Sequence, residues 1–133
     1  MKRYLLLLLI PILLISGCSV KKTDTDGRTD MDFTVVAKED IPKELLTVIE
    51  EKKNEEFTMS YGDGEFLYIV EGYGKMPTGG YSIRVDEMYE TTDEIVIHTT
   101  LMGPKAGEAV NKMETYPYIA VKIEYTDKNI VFE

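Results

Sequence analysis

The sequence predicts an α+β fold that is mostly antiparallel β, a small sheet or sandwich covered by one helix. Three observations predict it. Short runs rich in Val, Ile, Thr and Tyr recur from residue 57 to the C-terminus, separated by Gly, Pro, Asp and Asn. That alternation is the punctuation of strands and turns. A single stretch, 40–54, spaces its apolar residues as a helix does. The 133 residues, less a hydrophobic leader, suit one domain with a modest core.

Taken in order, residues 1–18 read MKRYLLLLLIPILLISGC. Lys2 and Arg3 form a positive start, and 5–15 is an apolar segment too short to span a bilayer, which needs ~20 apolar residues. Ile15, Ser16, Gly17 and Cys18 resemble a bacterial lipobox, in which small residues precede a thiol that takes the diacylglyceryl group. The expectation is a lipoprotein signal peptide over 1–17 and a lipidated Cys18. The mature protein is then extracytoplasmic, anchored to a bacterial membrane by its acyl chains (palmitate or similar). Each buried methylene adds roughly 0.8 kcal/mol of membrane affinity, so two or three chains hold it durably. Ser19 follows the cysteine, which by resemblance to known sorting rules would permit passage to an outer membrane in a Gram-negative host; the host envelope stays open. Cys18 is the only cysteine, which excludes an internal disulfide and any CxxC metal or redox site.

Residues 18–30 carry the lipidated Cys18 and a polar tether without apolar periodicity. It spans about 40 Å when extended and about 20 Å on average. The folded domain is expected over 31–133. Formal net charge is −9, and loss of Lys2 and Arg3 with the leader makes it two more negative, −11. Such a surface repels phosphate and argues against nucleic acid as a partner.

Within the domain, 32–39 reads as a short strand. Asp40 is the expected N-cap of a helix with Pro42 in its first turn. Ile41, Leu45, Val48 and Ile49 form one apolar stripe, with Lys52 and Lys53 at the C-terminal end, where the helix dipole favours cations. Residues 57–61 form a strand, Gly62, Asp63 and Gly64 a hairpin turn. Residues 65–73 are apolar on both faces and read as a central strand. Tyr81, Ile83 and Val85 alternate with Ser82, Arg84 and Asp86. Ile95, Ile97 and Thr99 face one way and Val96, His98 and Thr100 the other. A long loop fills 103–115. Ile119, Val121 and Ile123 define another strand, 126–129 a turn, and 130–132 a last strand.

The densest stretch of special backbone residues is 72–83, GYGKMPTGGYSI, with four glycines and one proline between two strands. Pro77, Thr78, Gly79 and Gly80 suit a turn with Pro77 at its second position. Tyr73 and Tyr81 flank it and are placed to hold it between two rings. With TYPYIAVKI at 115–123, the segment resembles the PrcB C-terminal domain family, whose members carry a Gly-x-x-Pro-Thr-Gly-Gly-Tyr loop and a later Pro-x-x-x-Val-Lys strand. The resemblance covers about 66–123. It implies a non-catalytic accessory lipoprotein of a surface protease complex. Pro-Thr-Gly-Gly-Tyr is also similar to the inhibitory loop of chagasin-like cysteine-protease inhibitors, with Met76 where those carry Asn and with an extra glycine.

The candidate protein-binding residues are Tyr73, Lys75, Met76, Pro77, Thr78, Gly79, Gly80 and Tyr81, since aromatics beside a stiffened loop have the composition interfaces favour. The alternative is that the glycines only make a tight strand crossing. No catalytic constellation emerges. His98 reads as a structural strand residue, Ser19, Ser60 and Ser82 lie in no Gly-x-Ser-x-Gly context, and Asp63 with Glu65 lacks the spaced oxygens of a calcium loop. The expectation is a non-enzymatic envelope protein with no cofactor and no metal. Its partners are the membrane, through Cys18, and a secreted or surface protease. A protease inhibitor acting through the loop and a structural lipoprotein without a protease link are the alternatives.

Overall fold

A computed structural model describes residues 27–133. The expected signal peptide, Cys18 and most of the tether lie outside the described residues.

Ten elements follow in order: β1 (Thr29–Asp30), β2 (Thr34–Val35), a 3-10 turn (Lys38–Asp40), α1 (Lys43–Lys52), β3 (Glu56–Gly62), β4 (Phe66–Tyr73), β5 (Ser82–Glu90), β6 (Glu94–Met102), β7 (Tyr118–Glu124) and β8 (Asn129–Phe132). They make two four-stranded sheets, ordered β1-β5-β6-β8 and β2-β7-β4-β3. The fold is α+β and mostly β, as the sequence predicts.

Two cores explain the layering. Leu67 and Ile69 of β4 and Ile119, Val121 and Ile123 of β7 pack with Met88 of β5 and Ile95 and Ile97 of β6, so this core lies between the sheets. The alternate residues of the same strands, Tyr68, Val70 and Ala120, meet Ile41, Leu45 and Ile49 on the other side. The second sheet is therefore buried on both faces, which is why β4 reads as apolar throughout.

Every pairing is antiparallel except β6 with β8, which is parallel. The cause is the chain path. Between β6 and β8 the chain crosses to the other sheet to make β7, so two reversals return it in its original direction. Lys128 secures the return, its Nζ lying 2.8 Å from both Glu90 Oε1 and the Thr91 carbonyl.

Several local expectations are corrected. Pro42, not Asp40, is the N-cap of α1, and no side chain caps it. Asp40 instead closes the preceding 3-10 turn, its N–H bonded to the Ala37 carbonyl at 2.8 Å. The strand expected over 32–39 shrinks to Thr34–Val35, paired with Lys122 and Val121 at the edge of β7. The first sheet reaches back past residue 31, because Thr29 and Asp30 pair with Glu90 and Tyr89. Polar composition hides this strand, whose stabilisation is the backbone ladder to β5.

The β3–β4 hairpin follows its sequence signal. Asp63 Oδ1 accepts the N–H groups of Glu65 at 3.0 Å and Phe66 at 2.8 Å. Those two bonds, Phe66's foremost, hold the Asp63 carboxyl below its ordinary range. A depressed carboxyl contributes stability above its unfolded pKa, and the contribution is lost as pH falls through the folded value. Acid titration followed by NMR should show the Asp63 carboxyl protonating below the ordinary aspartate range. Asp63→Asn should remove its share of the acid-induced loss of stability. An unchanged acid profile in that variant would count against the hairpin cap.

Candidate binding surface

The segment between β4 and β5, residues 74–81, is joined along its length to the segment between β6 and β7. Met76 and Thr115 exchange two backbone bonds, at 2.8 and 3.0 Å. Gly79 N–H bonds to the Asn111 carbonyl at 2.8 Å, and the Thr115 hydroxyl donates to the Thr78 carbonyl at 2.7 Å. Lys75 Nζ lies 3.5 Å from Glu114 Oε2. The result is a double loop.

This pairing leaves the expected turn at Pro77 without a closing hydrogen bond of its own. A β-turn there would send the Gly79 N–H to the Met76 carbonyl. The tertiary partners take both groups, Asn111 accepting the first and Thr115 supplying a donor to the second. Residues 77–79 are a bend without that bond. Gly80 has φ +92, and a Cβ built on it would stand 3.0 Å from both Pro104 Cβ and Val110 Cγ1. Gly80 thus lets the two loops approach, the scaffold role the sequence left open.

Nor do the two tyrosines clasp the loop between them. Tyr81 lies against Gly103, its Cε1 3.2 Å from where a Cβ would sit. Tyr73 turns into the gap between the sheets, where its hydroxyl bonds to Thr99 Oγ1 on β6. Thr99 gives its own proton to Glu71 Oε1 at 2.7 Å, so Tyr73 is the donor to Thr99. Burial pushes the Tyr73 phenol up, and the Thr99 bond opposes that shift. This Glu71–Thr99–Tyr73 chain ties the sheets together directly beneath the double loop. Thr99→Val should cost about 1–3 kcal/mol, because it orphans two half-buried polar groups. Chemical denaturation measures it, and a cost near zero would mean the chain is not formed.

The sequence reading missed this chain. Its signal was present: Thr99 falls on the inward register of β6 and Glu71 on that of β4, and an inward polar residue requires a partner. A second cluster surrounds Asp86, the extra residue of a β-bulge between Val85 and Glu87. Its carboxylate accepts from the Thr100 hydroxyl and from Arg84 Nε at 2.5 Å, and lies 3.3 Å from His98 Nδ1. The Thr100 bond and then the Arg84 bond hold the Asp86 carboxyl below its usual range. His98 is thus part of a surface network at the bulge. Among the described residues no group of three or more His, Cys, Asp or Glu converges as a metal site would. No described helix is long and apolar enough to cross a membrane.

Of the eight residues the sequence selected, Lys75, Pro77 and Gly80 are exposed. Tyr73, Met76, Thr78, Gly79 and Tyr81 are half-buried and build the loop pair. The opposite loop adds Met113, 66% exposed, which the sequence reading passed over. Its backbone N–H bonds to its neighbour Asn111 Oδ1 at 3.2 Å.

Fold and surface together define a small two-sheet domain that presents a hydrogen-bonded double loop. Residues 67–124 match the PrcB C-terminal family, the family that the loop and the late strand resemble. The matched stretch runs from β4 through the double loop to the end of β7. Over 75 residues the chain is 29% identical to an uncharacterized protein of Methanocaldococcus jannaschii, covering 56% of this chain and 44% of that protein. The chain therefore spans less than half the length of that curated relative. No solved structure matches.

Proposed function

We propose that this PrcB-like protein is a lipid-anchored, non-catalytic accessory protein that binds another protein outside the cytoplasm, with a surface protease as the partner. The observation that carries this reading is the double loop, where Lys75, Pro77 and Met113 stand exposed on a backbone fixed by four hydrogen bonds to the facing loop. A contact surface held rigid before binding loses little entropy on association. The family match supports the PrcB-like part of the reading, and the accessory role is what the resemblance implies.

Pull-down from solubilised membranes tests the reading. The wild-type chain should recover a protease, and a Lys75→Glu, Pro77→Ala, Met113→Ala variant should lose it while keeping its thermal stability. Recovery of no protease above background would defeat the assignment. Anchoring is tested separately: labelled palmitate should enter the wild-type chain in a bacterial host, and Cys18→Ser should abolish both the label and retention in the membrane fraction.

A further inference from the structure

The four sheet edges are not alike. Three are short: β1 and β2 have two residues each and β8 has four. The fourth, β3, has seven, pairs only with β4 among the described residues, and keeps continuous register along its length. Long edges are usually blunted by Lys, Pro or a bulge. The β3 sequence, EFTMSYG, contains neither residue, and its register shows no bulge. Among the described residues, no strand pairs with the other side of its backbone.

Its two faces differ in chemistry. Phe57, Met59 and Tyr61 lean on the core beneath α1 and offer an apolar shoulder. Glu56, Thr58 and Ser60 point the other way and are exposed. On that side a hollow of about 240 Å³ is lined by Glu56, Thr58, Glu71 and Tyr73. A second hollow, of about 350 Å³, lies at the start of the strand and is lined by Glu51, Lys52, Asn54, Glu55, Glu56 and Phe57, three carboxylates to one lysine.

We infer that β3 accepts an added strand from a partner protein, an extended segment whose side chains alternate between basic and apolar. Backbone pairing along β3 supplies the affinity, as in other strand-addition complexes. The alternation follows from the period of two in a strand: one set of side chains meets Met59 and Tyr61, the other meets the carboxylates of Glu56 and Glu71. A second copy of this chain fits poorly. Its net charge is also −9, and antiparallel pairing centred on Met59 would set Glu55 against Asp63.

The test uses the full chain in detergent micelles, isotope-labelled for NMR and titrated with an acetylated octapeptide of alternating Lys and Val. Amide shifts should concentrate in β3. The Thr58→Lys, Ser60→Lys variant, checked for unchanged melting, should bind about tenfold more weakly, a loss set by charge repulsion on an otherwise intact edge. A Glu–Val octapeptide, and a Lys–Val octapeptide with alternate amides N-methylated, should not bind. Equal binding by either control peptide or by the lysine variant would overturn the inference. So would shifts confined to 74–81, or self-association that Ser60→Lys abolishes. The Lys75, Pro77 and Met113 variant should bind the octapeptide normally, so failure of the double loop and failure of the strand edge are read separately.

Discussion

Leu45→Ala is expected to destabilise the domain by about 2–5 kcal/mol, the range for removing a fully buried leucine and leaving part of its cavity. Leu45 is 0% exposed and sits at the centre of the only described helix face that meets the second sheet. Its neighbours are Ile41 and Ile49 on one side and Tyr68, Val70 and Ala120 on the other. The strand residues are held by ladders to both sides of β4, so they relax little toward the void. At this domain size the loss corresponds to a fall in melting temperature of roughly 8–25 °C. Leu46, one position along and only half-buried, serves as the comparison. Leu46→Ala should cost clearly less. If both variants melt together near the wild type, α1 is not packed as described.

Gly80→Val is expected to be the most damaging change in the double loop. Its φ of +92 lies where a β-branched residue is strained by about 1–3 kcal/mol. The new side chain would also press on Pro104 and Val110, which lie 3.0 Å from its first atom. Relief requires the loops to part, which breaks the Gly79–Asn111 bond. Gly79→Ala is the discriminating partner, since Gly79 has no positive φ and its added carbon would meet nothing closer than 3.6 Å. The valine variant should lose about 2 kcal/mol or more and expose the Gly79 amide to hydrogen exchange, whereas Gly79→Ala should stay within about 0.5 kcal/mol. Matching effects at the two positions would refute the close approach at Gly80. Because the strain lies away from Lys75, Pro77 and Met113, a loss of partner binding in the Gly80 variant would report on loop rigidity.

Legibility in the sequence followed the range of the interaction. The α1 stripe, the Asp63 turn, the two-faced apolar run of β4 and the alternation in β6 and β7 all arise from periodicity or from neighbours a few residues apart. Each is present in the structure with shifts of one or two residues at its ends, except that Leu46 rather than Val48 joins Leu45 and Ile49 against the sheet, and that β7 buries Ala120 on its other face as well. Thr29–Asp30 was hidden because a two-residue edge strand needs no apolar pattern of its own. The bulge at Asp86 was hidden because register depends on β6 as much as on β5. At the binding surface, the glycine-rich loop was visible as a special backbone, while its geometry was misread.

The amino-acid order alone settled the broad class of fold, the helix α1 with Leu45 and Ile49 turned inward, and the two-faced burial of β4, since these depend on short-range spacing. Contacts between residues far apart in the chain decided the rest. Thr115, Asn111 and Pro104 determined that the Pro-Thr-Gly-Gly bend is stitched to another loop; Thr99 determined where Tyr73 points; the excursion of β7 into the other sheet made β8 parallel. A backbone donor bonds whichever acceptor the folded chain brings within reach, and for Gly79 that acceptor lies in a loop which no local pattern identifies.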